Sequence, residues 1–158
     1  MIYRVRRMAA ADVDAVMELA AGLPTAPHWP RDAYLAAQDP KASLARIALV
    51  AETLEGEDPL AGFALASLIP PQAELESIVV ATIFQRRGIA RKLFEALAGE
   101  LASAGITEVL LEVRASNEAA LSLYRALGFE EAGQRAGYYA DPVEDAVLMK
   151  RRTELLFA

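Results

Sequence analysis

The chain has 158 residues, a formal net charge of −6, no cysteine and a single histidine, His28. The lack of cysteine excludes disulfides, thiolate metal sites and a cysteine nucleophile. One histidine excludes a multi-histidine metal site, and it allows a Ser-His-Asp triad only if His28 serves in it. The acidic balance argues against a nucleic-acid partner, because such domains usually carry a basic excess.

The N-terminal half of the sequence predicts one strand, two helices and a β-hairpin. The first helix carries apolar residues at helical spacing and ends near Gly22, and a loop with three prolines follows it. The two hairpin strands are apolar runs on either side of a polar turn. In chain order, the elements are a strand over Met1–Arg7, a helix that begins at Asp12, a helix over Arg31–Gln38, and strands over Arg46–Thr53 and Leu60–Ile69.

The C-terminal half alternates strands and helices. Gly105 and Gly128 follow its two helices, and Ser116 or Asn117 can cap the second one. The tail Leu155-Leu156-Phe157 predicts a packed or frayed end, with a partner contact as the alternative. The elements are a strand over Leu75–Val80, a helix with Ala90, Leu93, Phe94, Leu97 and Leu101 on one face, a strand over Glu108–Arg114, a helix with Ala120, Leu123, Tyr124 and Leu127 on one face, and strands from Phe129 onward and over Glu144–Lys150.

The resulting order β-α-α-β-β-β-α-β-α-β-β predicts an α/β fold with one mixed sheet and helices on both of its faces. Strand-helix-strand units in the middle imply parallel pairing, and hairpins at each end imply antiparallel edges. No repeat or linker interrupts the pattern, so we expect residues 1–158 to form a single domain.

The segment Gln85–Ala90 joins a strand to a helix and has the features of a phosphate site. The first N–H groups of a helix lack intrahelical partners and lie at the positive end of the helix dipole. Gly88 lets the main chain approach a ligand closely, and Arg86, Arg87 and Arg91 add positive charge. A Walker A loop and a dinucleotide fingerprint are both excluded by the glycine and lysine pattern. The alternative is a tight connection with ordinary surface arginines.

This hexapeptide resembles the Gln/Arg-x-x-Gly-x-Gly/Ala turn of the GNAT N-acetyltransferases, which holds the pyrophosphate of acetyl-coenzyme A. A second segment strengthens the resemblance, because Asn117 to Phe129 matches the Asn-x-x-Ala-x-x-Leu-Tyr-x-x-x-Gly-Phe pattern of that family. More narrowly, three further stretches resemble the bacterial ribosomal-protein-alanine N-acetyltransferases. They are Leu111–Asn117, Gly137-Tyr138-Tyr139 and Glu144–Met149, with a weaker match at Pro27-His28-Trp29.

Acetyl transfer to an amine needs a base for the ammonium and an acid for the leaving thiolate. Glu112 is the candidate base, because it lies inside an apolar strand where burial would make it a better proton acceptor. Its alternative role is a solvated acid paired with Arg114. Tyr124 is the candidate acid, and its alternative role is a core aromatic. The resemblance implies the catalytic role for both residues. Without cysteine, transfer would be direct rather than through an acyl-enzyme.

The resemblance also implies the binding residues. A backbone N–H within Ile78–Val80 would stabilise the oxyanion, and Ala81-Thr82 replaces the Asp-Pro pair usual in the family, which puts the loop before Gln85 in doubt. For the peptide acceptor, aromatic packing at a strand end is the alternative for each aromatic residue. The implied cofactor residues are Ile78, Val79, Val80, Arg86, Arg87, Gly88, Ile89, Ala90, Arg91, Asn117 and Tyr124, and the implied acceptor residues are Trp29, Glu76, Tyr138 and Tyr139.

Together these observations predict an acetyl-CoA-dependent N-α-acetyltransferase acting on the N-terminal alanine of a small-subunit ribosomal protein. Two other functions stay open, namely acetylation of a lysine side chain or small molecule, and a non-catalytic CoA-binding module. The longest nearly apolar run is about half of the roughly 20 residues needed to span a bilayer, and no export signal is evident. We therefore expect a soluble, cytoplasmic monomer with no metal, no nucleic acid and no membrane partner.

Overall fold

The computed structural model describes residues 3–23, 28–54 and 60–153. Its element order agrees with the order predicted from the sequence. Short 3₁₀ turns at Ala10–Asp12 and Thr82–Phe84 precede the first and third helices. The elements are β1 Tyr3–Arg7, α1 Val13–Ala21, α2 Arg31–Gln38, β2 Arg46–Thr53, β3 Leu60–Ile69, β4 Gln72–Val80, α3 Ile89–Ser103, β5 Glu108–Arg114, α4 Glu118–Ala126, β6 Glu130–Tyr139 and β7 Glu144–Arg152.

The seven strands form one sheet in the order β1-β2-β3-β4-β5-β7-β6. Among the described strands, β4 and β5 pair in parallel, as predicted for the strand-helix-strand unit around α3, and the other pairs are antiparallel. The strands on either side of α4 do not pair with each other as the sequence pattern implied, because β7 lies between β5 and β6. The parallel pairing joins Gln72–Glu74 to Glu108–Leu110 and then stops. Beyond it, β4 pairs with β3 as far as Val80, while β5 pairs with β7 as far as Arg114. The two central strands therefore separate toward their C-terminal ends and open a cleft in the sheet.

Helices cover the sheet on both faces, which confirms the predicted α/β class. Val16, Ala20 and Tyr34 of α1 and α2 pack on one face against residues that include Phe63 and Val79. Leu93, Phe94, Leu97 and Leu101 of α3 pack on the other face, against a cluster that includes Leu49, Leu75, Val109 and Leu111. Because strand side chains alternate between faces, the same strands supply both cores. Full burial of each valine, leucine or phenylalanine side chain contributes about 1.5–3 kcal/mol to the stability of the fold.

The boundaries differ from the sequence prediction at a few places. Strand β4 begins at Gln72 rather than Leu75, because the chain turns at Pro70-Pro71 and pairs again at once through Ile69 and Gln72. Asn117, one of the two predicted caps, is the residue that caps α4. The loop residues 24–27, residues 55–59 of the hairpin turn predicted over 54–59, and the tail Leu155-Leu156-Phe157 lie outside the described residues. Within the described ranges, no helix is long and apolar enough to cross a membrane.

Candidate active site

The cleft between β4 and β5 is lined on one side by main-chain groups of β4. The Ala81 N–H donates to the Ala61 carbonyl of β3 at 2.8 Å, so residues 79 and 81 direct their backbone groups toward β3. Successive residues of a strand direct theirs to opposite sides, and the groups of Ile78 and Val80 therefore face the cleft. In agreement, the Val80 carbonyl accepts from the Gln85 side chain at 3.0 Å rather than from β3. The N–H groups of Ile78 and Val80 are the donors available for a ligand in the cleft.

A glycine in the neighbouring strand allows β4 to lie where it does. A Cβ placed on Gly62 would be only 2.4 Å from the Val79 carbonyl oxygen and 3.3 Å from Cδ1 of Leu93. Both contacts are closer than real Cβ atoms normally tolerate, and the first is with backbone, which cannot turn away. The absence of a side chain at Gly62 therefore helps to set the position of β4, which lines the cleft.

The turn into α3 presents a set of free amides. Gly88 has φ +80° and is the N-cap of α3, and no side chain among the described residues caps it. The Lys92 N–H bonds to the Gly88 carbonyl at 3.1 Å, which leaves the N–H groups of Ile89, Ala90 and Arg91 without helical acceptors. Apart from Gly88 and its neighbours along the chain, no atom of the described residues lies within 4 Å of the position of a Gly88 Cβ. These amides and the helix dipole are therefore suited to bind an anion.

Backbone strain is present at the same turn. Arg86 has φ +63°, a left-handed conformation that is uncommon for residues with a Cβ. Such conformations cost about 1–3 kcal/mol and cluster at ligand-binding positions. The strain at Arg86 therefore agrees with a turn shaped for binding rather than for connection alone.

The three arginines predicted to surround the turn have different surroundings. Arg91 donates from Nη2 to the carbonyl of Ala126, the last residue of α4, at 2.8 Å. Arg87 lies over the Phe84 ring at 5.9 Å. Only Arg86 has no side-chain contact within the described residues that would hold it away from the turn. The guanidinium of Arg91 therefore links α3 to the negative end of the α4 dipole. Arg91 contributes its backbone N–H to the turn rather than its side-chain charge.

The start of α4 is fixed by two side chains. The Asn117 Oδ1 accepts from the Ala120 N–H at 3.2 Å and caps the helix, so its Nδ2 group is left for the predicted contact with the cofactor arm. Glu144 of β7 accepts from the Ser116 N–H at 2.6 Å and pairs with Arg114 at 3.3 Å. These bonds hold the pKa of Glu144 below its usual value, with the Ser116 bonds as the largest cause. The helix that carries Tyr124 is therefore anchored to β5 and β7.

Tyr124 is held in its protonated form by its surroundings. Burial, and to a smaller extent the nearby Tyr139, raise the pKa of Tyr124 to about 12. Its ring packs edge-on against Phe129 with centroids 5.9 Å apart. The phenol keeps its proton through the neutral range and can donate it.

Glu112 lies on β5 between Leu111 and Val113, which point into the α3 core. Its side chain therefore points to the opposite face, where it is 22% exposed and its Oε1 is 3.5 Å from the Arg135 Nη2 of β6. The hydrogen bond from Tyr138 to Glu112 is the largest cause of the raised pKa of Tyr138. Arg114, the ion-pair partner considered from the sequence, pairs instead with Glu144 and lies 4.4 Å over the Tyr139 ring. That alternative pairing was wrong.

The other predicted acceptor residues fall into two groups. Tyr138 and Tyr139 are in contact, with centroids 5.0 Å apart, and both lie near Glu112. Glu76 is instead bound to Arg46 at 2.8 Å. Trp29 lies over the same arginine at 5.5 Å, and its ring contacts Tyr34. Trp29 and Glu76 thus share one arginine.

Sequence reasoning missed Glu74, Arg46 and Arg135 on this face. Burial, followed by the charges of Glu76 and Glu112, raises the pKa of Glu74, so this residue lies close to the candidate base. No local pattern could have identified Arg135. It is brought to Glu112 by the registers of β5 on β7 and of β7 on β6.

Comparison with known proteins identifies the class to which this fold and cleft belong. The profile of the Acetyltransferase (GNAT) family matches residues 13–129. The chain therefore belongs to the GNAT acetyltransferase family, which confirms the predicted family and its mixed-sheet fold.

Individual relatives agree with this placement. Ribosomal protein bS18-alanine N-acetyltransferase of Salmonella typhimurium is 46% identical over 98 residues, a match that covers 61% of this chain and 66% of that protein. The chain thus matches just under two thirds of the length of this curated relative. The crystal structure of the ribosomal-protein-S18-alanine N-acetyltransferase from Escherichia coli superposes with a TM-score of 0.77 at 30% identity, covering 96% of this chain and 94% of that one. A putative acetyltransferase from Salmonella typhimurium, solved with acetyl-CoA, has the same fold at 23% identity, a TM-score of 0.79 and coverage of 97% and 95%.

Proposed function

We propose that the chain is an acetyl-CoA-dependent N-α-acetyltransferase, that its acceptor is the N-terminal alanine of a small-subunit ribosomal protein, and that residues 1–158 act as one domain. The observation that carries the proposal is the cleft where β4 leaves β5. On one side it has the amides of Ile78 and Val80, and on the other it has Glu112. The names of the relatives support the acceptor.

The cofactor would lie along β4 and end at the start of α3. The free amides of Ile89, Ala90 and Arg91 suit a diphosphate, and the open space beside Gly88 admits it. The inward-facing backbone of Ile78 and Val80 suits the amide groups of the pantetheine arm. Arg86 is the arginine best placed to add charge, because Arg91 is bound to α4.

Each chemical role falls to a group in or beside the cleft. Glu112 would accept a proton from the acceptor ammonium, directly or through water, so that the free amine can attack the thioester carbonyl. The backbone N–H of Ile78 or Val80 would stabilise the negative charge that develops on the carbonyl oxygen, since that of Val79 is directed toward β3. Tyr124 would give its proton to the sulfur as the carbon–sulfur bond breaks. Glu112 passes this first proton to solvent. It can then take the second proton, which the nitrogen must lose after attack for the amide to form. Tyr124 regains its proton from solvent, so that one proton is released in each turnover.

The acceptor would approach from the face that carries Glu112, Tyr138 and Tyr139. The two tyrosines lie on β6 next to the candidate base, in a position to hold the peptide backbone. Trp29 and Glu76 would border this region through their shared contact with Arg46. The net charge of −6 favours a basic acceptor and disfavours nucleic acid, and we infer a cytoplasmic monomer with no membrane partner.

The decisive experiment offers acetyl-CoA with three peptides and locates the added mass by fragmentation. One peptide begins with Ala-Arg and contains an internal lysine, the second is identical but blocked at its N-terminus, and the third presents a lysine alone. The proposal requires acetylation of the α-amine of the first peptide only. Acetylation of lysine in all three would favour a lysine acetyltransferase, and coenzyme A binding without turnover on any amine would favour a non-catalytic module.

A further inference from the structure

Two carboxylates on the acceptor face are paired with arginine in different ways. Glu76 Oε1 and Arg46 Nε are 2.8 Å apart, and both side chains are less than 20% exposed. The Glu112–Arg135 pair is longer, at 3.5 Å, and the Arg135 side chain is 55% exposed. The first pair is a fixed part of the sheet. The second pair is weak, because partly exposed ion pairs contribute little free energy. A competing cation can therefore displace Arg135 from Glu112 at little cost in free energy.

Arg135 is the only cation that the described residues bring within ion-pair distance of Glu112. Arg114 lies on the same strand two residues away but is held by Glu144 and by the carbonyls of Ala140 and Pro142. The remaining groups that face Glu112 are Glu74 of β4 and the phenols of Tyr138 and Tyr139. Removing Arg135 would therefore leave a strongly acidic face.

The strand that carries Arg135 leaves the guanidinium room to move away from Glu112. The register of β6 on β7 shifts between Glu131 and Gly133 and again between Arg135 and Tyr139. The residues around Arg135 are exposed. Its guanidinium already lies 4.9 Å from the centre of the Tyr138 ring. If the guanidinium leaves Glu112, the face of that ring can still hold it through a cation–π contact.

We propose that Arg135 occupies the place of the acceptor's ammonium in the free enzyme, and that acceptor binding exchanges this guanidinium for the incoming amine at Glu112. This inference rests on the proposed function. A guanidinium suits such a role because it keeps its proton at any physiological pH and cannot itself be acetylated by this chemistry. Only a cationic acceptor can take its place, so neutral amines and blocked N-termini are disfavoured before any chemistry begins. Arg135 is thus a positioning residue that sets which acceptors reach the base.

The test compares R135Q, R135K and R125Q with the unchanged chain, using the Ala-Arg peptide at saturating acetyl-CoA. Arg125 is a matched control, because it is a surface arginine, 51% exposed, in an ion pair with Glu131. We expect R135Q to lower KM for the peptide roughly two- to fivefold, the range for loss of a partly exposed competing ion pair, with kcat changed by less than about twofold. R135K should restore the KM of the unchanged chain, and R125Q should match that chain throughout.

Two results would overturn the exchange. A higher KM in R135Q would make Arg135 a direct ligand of the peptide, and an unchanged KM would mean that the pair does not compete. Calorimetry of the peptide with the enzyme–coenzyme A complex gives the same comparison without turnover, and R135Q should bind the peptide more tightly. If the unchanged chain acetylates no α-amine, the proposed function fails. If it does so while R135Q binds no better, only the exchange fails.

Discussion

The two sides of the cleft are built on different principles. The proposed cofactor side consists of main-chain groups that are close in sequence, from Ile78 to Arg91, and its donors do not depend on which side chains are attached. The proposed acceptor side consists of side chains from β4, β5 and β6, which meet through strand pairing. Point substitutions should therefore separate the two sides. Changes on the acceptor side should act on turnover, and changes at the turn should act on cofactor affinity.

The sharpest separation is expected from Glu112→Gln. The amide keeps the shape of the side chain but cannot take the ammonium proton, so kcat should fall roughly 10²- to 10⁴-fold. Coenzyme A affinity, measured by calorimetry, should stay within about twofold. Glu108→Gln is the matched control on the same strand, because that carboxylate lies at the far end of β5 against Gln72. Unchanged turnover in Glu112→Gln across the pH range would reject the base assignment.

A smaller loss of rate is expected from Tyr124→Phe. Removing the hydroxyl leaves the ring packed on Phe129 and takes away the proton for the leaving sulfur, which should slow the chemical step by about 10²-fold. Because the pKa of Tyr124 is raised to about 12, its own ionisation should not reduce the rate between pH 7 and 10. Rapid-quench measurement of a single turnover gives the rate of the chemical step. A rate in Tyr124→Phe equal to that of the unchanged chain would exclude Tyr124 as the acid.

The difference between the two sides also explains what could be predicted from the sequence. The turn was predictable because an anion site at a helix start needs only a strand, a glycine and a helix in succession. The element order was also predictable, because hydrophobic periodicity depends only on residues that are close in sequence. The partner of Glu112 was not predictable. Glu112 and Arg114 share a face of β5, but the loop after β6 and Glu144 hold Arg114.

Arg135 reaches Glu112 across β7 through the pairing of Gly133–Arg135 with β7, which follows an irregularity between Glu131 and Gly133. A shift of one residue would turn Arg135 to the other face. Arg46 is a similar case, because its bond to Glu76 spans β2 to β4. Both ion pairs depend on registers that no short motif encodes.

On the cofactor side, Gly88→Asp should weaken coenzyme A binding by roughly tenfold or more while sparing the fold. Asp accepts the left-handed conformation better than most residues, and its carboxylate would take the free amides of α3 and repel the diphosphate. Gly99→Asp is the matched control, because it adds the same charge to α3 at a position that is equally open. Calorimetry that found equal affinity in both variants would place the diphosphate elsewhere.

The smallest effect expected is on stability at high pH. Tyr124 has a raised pKa in the folded chain, so its contribution to stability is complete below pH 10, the ordinary tyrosine value, and is lost as pH rises toward about 12. Burial is the main cause, and it penalises the phenolate only while the chain is folded. Tyr124→Phe should therefore lose less stability than the unchanged chain between pH 10 and 12, measured by urea unfolding at matched pH. Tyr3→Phe serves as the control, since the Tyr3 hydroxyl lies at an exposed site. Parallel losses in all three chains would mean that the Tyr124 phenol is open to water, which would also weaken its assignment as a sheltered proton donor beside the sulfur.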